Sequence, residues 1–240
     1  MNFDEYFPFI KNAFLDNGLS DLSINKAEMF YRFSNVLIET NKITNLTAIT
    51  DEKEIILKHF LDCASISQYI PLNSSLIDIG RGAGFPSIPL AILRDDLKIT
   101  AIDSTGKKVR FVSDAARILS LSNLEAICTR AEEFISEHRE SFDCCTSRAV
   151  ARLNILSELC IPFLKIDGRF IAMKSNKGEE EYIEAASGIR RLGGNLCSRH
   201  EIEMHLDDLS ISREIIVISK SRNTPTEYPR KYAQILKKPL

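Results

Sequence analysis

The segment running from Leu76 through Ile77, Asp78, Ile79, Gly80, Arg81, Gly82, Ala83, Gly84 and Phe85 to Pro86 constrains this chain more than any other. A short apolar run leads directly into three glycines at alternate positions, and a second apolar run, Pro86 to Leu93, follows. Glycine enters left-handed backbone conformations without steric cost and lets a ligand approach the main chain closely. A glycine turn between a strand and a helix also leaves the free N–H groups of the first helical turn near the carboxyl end of the strand. In open α/β sheets, ligands bind at that end.

The rest of the chain agrees with such a sheet. Strands are predicted at 76–79, 98–103, 124–128, 142–147, 169–174, 196–204 and 214–219. Helices are predicted at 86–93, 107–119, from about 129 to 134, at 153–163 and at 178–189. Alternation of this length implies a mostly parallel seven-stranded sheet covered on both faces. The last two strands have no clear helix between them, which predicts an antiparallel hairpin at one edge. The first seventy residues read instead as helical. Met29, Phe30, Phe33, Val36 and Leu37 recur at helical spacing, with Ser23 or Asn25 as the cap, and a second amphipathic helix begins at Asp51 with an acidic first turn. The division expected is a helical segment, 1–70, followed by an α/β domain, 71–240.

Composition narrows the class. Hydrophobic residues are 44% and charged residues 27% of the 240, a balance that supports a self-sufficient core. No run approaches the roughly 20 apolar residues of a membrane span, and the N-terminus lacks a basic region followed by an apolar one. The six cysteines contain no C-x-x-C spacing, so neither a metal nor a disulfide framework is expected. A cytoplasmic monomer is expected. The net charge of −2 excludes a chain that is basic throughout, yet Lys220, Arg222, Arg230, Lys231, Lys237 and Lys238 face only Glu227 over the last stretch. That tail reads either as a phosphate-contacting arm or as a solvated terminus.

The glycine spacing helps to choose a ligand. A dinucleotide fingerprint reads G-x-G-x-x-G, whereas here Gly84 comes one residue early and Phe85 stands in its place. The loop suits a nucleoside ligand without phosphates. Asp103, at the end of the second strand, is placed to accept hydrogen bonds from both hydroxyls of a ribose. Ala131 and Glu132 follow the third strand, where an adenine would lie, although Glu132 reads equally as a solvated first-turn acid. Arg148 follows the fourth strand as either a fork for a carboxylate or phosphate or an exposed loop cation.

Several motifs together resemble one family. NLTAIT (45–50), KHFLDC (58–63), LIDIGRGAGFPSIPLAIL (76–93), IDSTGKKVRFV (102–112), TRAEEF (129–134), FDCCTSRAVA (142–151) and LKIDGRFIAMK (164–174) are similar, in order, to motifs of the ribosomal small-subunit methyltransferase G family, also called glucose-inhibited division protein B. The resemblance implies a Rossmann-like class I methyltransferase that uses S-adenosylmethionine to methylate N7 of one guanine in 16S ribosomal RNA. It implies backbone contacts to the cofactor at Gly80 and Phe85, beside the Gly82, Gly84 and Asp103 that the spacing already suggests, an adenine-side pair at Ala131 and Glu132, and Arg148 beside the methionine moiety or the target base. Asn45, His59 and Asp62 lie in motifs that the family keeps near its active site. His59 alone reads more simply as a structural histidine. The chain carries Arg81 where the family usually has Ser or Thr.

Guanine N7 has a lone pair and no proton, so no general base is expected. Asp62 is the candidate carboxylate beside the cationic product. N7 lies in the deep, narrow groove of an RNA helix, so the base is expected to be unpaired or extruded. Lys107, Lys108 and Arg110, with the C-terminal tail, are the candidate RNA-facing cations. A small-molecule methyltransferase and a non-enzymatic RNA-binding module share the same loop and remain open on sequence alone.

Overall fold

A computed structural model describes residues 1–240 other than 81, 149, 150 and 176. The N-terminal segment is helical as expected. Helix α1 spans Phe3–Asp16 and is closed by a reciprocal cap in which the Asn2 side chain accepts from the Glu5 N–H while Glu5 accepts from the Asn2 N–H. Helix α2 spans Ile24–Thr44 and is capped by Ser23. The third helical run departs from a simple helix. It has α-helical ends, α3 (Glu52–Ile55) and α4 (Asp62–Ala64), around a wider π-helical turn, Ile56–Leu61. Wide turns of this kind are uncommon and cluster at functional sites.

The α/β portion alternates β1 (Ser75–Ile79), α5 (Ser87–Leu93), β2 (Lys98–Asp103), α6 (Gly106–Ile118), β3 (Leu124–Cys128), α7 (Ala131–His138), β4 (Phe142–Arg148), α8 (Leu153–Cys160), β5 (Leu164–Lys174) and α9 (Gly178–Arg191). It ends in β6 (Gly194–Leu206), β7 (Leu209–Lys220) and a short α10 (Tyr232–Lys237). The sheet order is β3-β2-β1-β4-β5-β7-β6. The first five strands pair in parallel, and β7 runs antiparallel to both β5 and β6. The expected hairpin therefore forms one edge. Chain order reverses between β1 and β4, so the carboxyl ends of these adjacent strands, at Ile79 and Arg148, border the crevice where ligands bind in such sheets.

Strand side chains alternate between faces with period two. Ile77 and Ile79 belong to a buried cluster with α7, α8, α9 and α10, while Leu76 joins a cluster with Leu90 and Ala91 of α5. A third cluster unites Phe14, Phe30, Phe33 and Phe60 of the N-terminal helices with Phe111 and Val112 of α6 and with Met204 and Leu206 of the hairpin. The N-terminal helices thus share a core with the sheet's helical cover, which holds them over one side of the crevice.

The glycine loop illustrates two different demands on backbone. Gly80, Gly82 and Gly84 have φ of 74°, 57° and 87°. A Cβ on Gly84 would lie 2.5 Å from Ile88 Cδ1, whereas a Cβ on Gly82 would meet nothing within 4 Å. Gly84→Ala is expected to destabilise the fold by about 2 kcal/mol, from left-handed strain together with overpacking. Gly82→Ala is expected to cost about half as much stability, because only the strain applies. Urea unfolding of the two variants checks the order, and equal losses would contradict it.

Candidate functional site

A cavity of about 510 Å³ opens at the switch point between β1 and β4. Its floor is the glycine loop. The Gly80 N–H bonds to the Ile102 carbonyl at 2.9 Å, which ties the loop to the end of β2. Asp103 terminates β2, only 9% exposed. Its carboxylate accepts from the Thr105 N–H at 2.8 Å and from the Gly82 N–H at 3.3 Å. It therefore sits at the cavity wall with its oxygens fixed by backbone donors.

The wall after β3 is built from Thr129, Arg130, Ala131 and Glu132, joined by Leu159 of α8. Glu132 pairs with Arg130 at 3.8 Å while its side chain stays mostly covered, at 15% exposure. The opposite wall comes from the N-terminal helices. Leu46, Thr47 and His59 line the cavity there together with Phe85 and Arg148.

That second wall is a connected polar network on an aromatic base. The His59 ring stacks on Phe85 with centroids 4.2 Å apart, and the Arg148 guanidinium lies 4.9 Å over the same Phe85 ring. Arg148 donates to the Lys58 carbonyl at 3.1 Å and to Asp62 Oδ2 at 3.1 Å, and its other terminal nitrogen lies 3.2 Å from His59 Nδ1. The Asp62 N–H bonds back to the His59 carbonyl instead of to that of Lys58, and the Lys58 carbonyl accepts from Arg148. His59 Nε2 lies 3.2 Å from Thr47 Oγ1. The Thr47 loop is in turn stapled by Asn41, whose side chain accepts from the Leu46 and Thr47 N–H groups and donates to the Thr47 carbonyl.

Burial, with the Arg148 guanidinium alongside, pushes the His59 pKa from its ordinary 6.5 down to about 3. The imidazole is neutral at physiological pH. The unfolded chain binds a proton at this histidine between about pH 6.5 and pH 3 while the folded chain does not, so stability rises with pH across that window. Lowering the pH from 6.5 to 5 is expected to cost about 2 kcal/mol through His59. Urea midpoints measured against pH should show a shallower slope in His59→Gln, and parallel slopes would refute the assignment.

Most of the expected residues converge on this cavity, and three features lie apart from its lining. Gly80, Gly82, Phe85, Asp103, Ala131, Glu132, Arg148, His59 and Lys108 line it, and Gly84 supports the loop from below. Asp62 does not. It is 1% exposed, with one carboxylate oxygen on Arg148 and the other on Arg213 Nε at 3.2 Å. It stands behind Arg148, away from the cavity lining. Asn45 is exposed at φ 48° as the left-handed cap of α2, and its successors Leu46 and Thr47 reach the cavity instead. The third is the basic tail. The Lys220 side chain is fully buried and bonds to Glu140 Oε1 at 2.8 Å, Arg230 is paired with the fully buried side chain of Glu158, and Arg222 donates to the Arg190 carbonyl. Three of the six tail cations hold the fold together, while Lys231, Lys237 and Lys238 remain exposed. Lys107 and Arg110 are also exposed, and Lys107 donates to the Thr44 carbonyl at 3.3 Å. Arg81 lies outside the described residues.

Thr47, Arg213 and Tyr232 join the residues that the sequence points to. Thr47 lies within the NLTAIT motif (45–50). Arg213 and Tyr232 are brought in from β7 and α10 by tertiary packing and carry no local signal. Among the described residues, no cluster of His, Cys, Asp and Glu has the makings of a metal centre, and no helix is long and apolar enough to cross a membrane.

Comparison with known proteins bears on what such a cavity does. The family model for rRNA small subunit methyltransferase G matches residues 26–206. The Ribosomal RNA small subunit methyltransferase G of Staphylococcus epidermidis is 46% identical over 223 residues, covering 92% of each chain. That of Clostridium botulinum is 42% identical over 240 residues, covering 98% of this chain and 99% of its own. Among solved structures, M. jannaschii TYW2 in complex with AdoMet superposes with a TM-score of 0.55 at 16% identity, over 71% of this chain and 77% of that one. The [4+2]-cyclase SpnF superposes with a TM-score of 0.52 at 14% identity, over 67% and 81%. Structural likeness at this distance extends to a cyclase as well, so it speaks to fold alone.

Proposed function

Because the chain belongs to the rRNA small subunit methyltransferase G family, we propose that it transfers the methyl group of S-adenosylmethionine to N7 of one guanine of 16S ribosomal RNA, nucleotide 527 in the family. The observation that carries this reading is the cavity at the β1/β4 switch point, floored by the three-glycine loop and walled by Asp103. When bound, S-adenosylmethionine supplies an electrophilic methyl group on a sulfonium centre.

The residues present fit that molecule. A left-handed glycine loop with open space above Gly82 admits a ligand against the backbone. Asp103 offers an anchored carboxylate to a pair of ribose hydroxyls. Ala131 and Leu159 offer apolar surface to an adenine, with Glu132 beside them for its amino group. Arg148, Arg213 and Asp62 together carry one net positive charge, which suits the carboxylate of a methionine moiety.

On the acceptor side, N7 needs placement rather than deprotonation, so the protein's contribution is orientation. A neutral His59 and an Arg148 partly balanced by Asp62 limit repulsion of the cationic product. The target base must leave its stack to reach the cavity, and Lys107, Lys108 and Arg110 lie at or near the mouth to meet phosphate. Converting Lys107 and Arg110 to Gln is expected to flatten the dependence of log affinity on log salt by about 0.7 per cation removed. An unchanged slope would reject this face.

The deciding experiment incubates the protein with labelled S-adenosylmethionine and small subunits lacking the modification, then maps the methylated nucleotide. A single labelled guanine is expected. Cofactor binding without methyl transfer to RNA would overturn the acceptor, and absence of cofactor binding would overturn the whole reading.

A further inference from the structure

The last seventeen residues carry more fixed interactions than a solvated terminus needs. Chain ends are usually poorly ordered unless tied down. Here Arg139 donates to the carbonyls of Thr224 and Tyr228. Arg230 gives its backbone N–H and its Nε to Glu158 Oε1 at 2.9 and 2.8 Å, and its guanidinium also reaches the Lys238 carbonyl at 3.0 Å. Leu240 closes onto α9 so tightly that a Cβ on Gly188 would lie 2.5 Å from the Leu240 Cβ. Glu158 is fully buried in α8 and directly precedes Leu159, a residue of the cavity wall. The effect of these ties is to lay α10 on α8 and to bring Tyr232, its first residue, to the cavity.

We propose that the segment from Thr224 to Leu240 is a strap that completes the cofactor cavity, and that Tyr232 is a cofactor-contacting residue at its adenine end. The inference rests on the S-adenosylmethionine reading above and adds a residue to it. Tyr232 packs on the apolar cluster that contains Ala131, Ile135 and Leu159 while lining the cavity. Ala131 and Leu159 present small apolar surface, and a planar ring beside them provides the face that a flat purine requires. A phenol ring serves such a ligand without selecting by hydrogen bonding, since every purine has a stacking face. The glycine loop and Asp103 hold the ribose side, so the strap and α7 hold the base between them. The buried pairing of Arg230 with Glu158 then has a use at the site: it fixes where the ring stands.

The chain contains no tryptophan, so Tyr232→Trp gives it a single fluorescent reporter at the point in question. Titration with S-adenosylmethionine is expected to change that emission saturably, with a midpoint matching the calorimetric dissociation constant of the same variant. Binding by calorimetry with no change in emission overturns the contact. In parallel, Tyr232→Ala is expected to bind both S-adenosylmethionine and adenosine about tenfold more weakly, the loss typical of a stacked base, while Tyr232→Phe stays within about twofold. Tyr232→Ala binding like the unaltered chain, or losing affinity for S-adenosylmethionine but not for adenosine, overturns the placement at the adenine end. If Tyr232→Ala fails to fold, the Trp and Phe variants carry the test. An unaltered chain that binds neither ligand overturns this inference together with the reading it rests on, whereas a failure confined to the Tyr232 variants leaves that reading standing.

Discussion

Asp62→Ala is expected to destabilise the protein by about 3–5 kcal/mol and to depress methyl transfer through Arg148. The carboxylate is 1% exposed and bonds Arg148 with one oxygen and Arg213 with the other. Removing one member of a buried ion network leaves the remaining charges without compensation, which costs far more than the intact pair contributes. Here two guanidinium groups would face each other across an empty site. Arg148 would also lose the contact that holds it over Phe85, so its position at the cavity would loosen. Two roles for Asp62 are distinguishable. A carboxylate acting directly on the base predicts that Asp62→Asn loses turnover with stability unaltered. A carboxylate positioning Arg148 predicts a stability loss, and it predicts that Asp62→Asn and Arg148→Met are strongly non-additive in both unfolding free energy and affinity for S-adenosylmethionine, as groups in one network are. Additive effects in that cycle would sink the positioning role.

What made the sheet legible and this network illegible is a difference in range. Strands such as Lys98–Asp103 and Leu124–Cys128 announce themselves by local pattern between turn residues, and the sequence reading placed both to the residue. The hairpin is longer than its local pattern predicts because β6 and β7 run beyond the sheet proper. Met204 and Leu206 continue outward to pack on the N-terminal helices, and Asp207 turns the chain at φ 53°. The run from Asp51 reads as one amphipathic helix, and the π-helical turn at Ile56–Leu61 within it carries no local sequence signal. Within that turn the Lys58 carbonyl accepts from Arg148, ninety positions away. The basic tail is governed by the same difference in range. Counting charges between Lys220 and Leu240 sees one acid, but Lys220 and Arg230 are answered by Glu140 and Glu158, eighty and seventy-two positions upstream. Individual residue types around the cavity were legible where a backbone need or a strand end fixed them, as at Gly82 and Asp103. They were hidden where only tertiary packing delivers them, as at Arg213 and Tyr232.

Asp103 is where local pattern and geometry agree, and its removal is expected to have the largest effect on the cofactor. Asp103→Ala should weaken S-adenosylmethionine binding about a hundredfold. Hydrogen bonds to a charged acceptor contribute about 1.5–3 kcal/mol each, and two ribose hydroxyls on one carboxylate therefore account for about 3 kcal/mol at the low end, or two decades in affinity. Asp103 also accepts from the Thr105 and Gly82 N–H groups, so part of any loss could arise from a loosened loop. Two comparisons separate the causes. Asp103→Asn keeps an acceptor oxygen for the loop and for one hydroxyl, and about a tenfold loss is expected. 2′-Deoxyadenosine against adenosine removes one hydroxyl from the ligand instead of the carboxylate from the protein. If Asp103 holds the ribose, the unaltered protein should prefer adenosine by about tenfold and Asp103→Ala should show no preference. Calorimetry in which both proteins discriminate equally would assign Asp103 to the loop alone, and the ribose would then need another partner on the cavity wall.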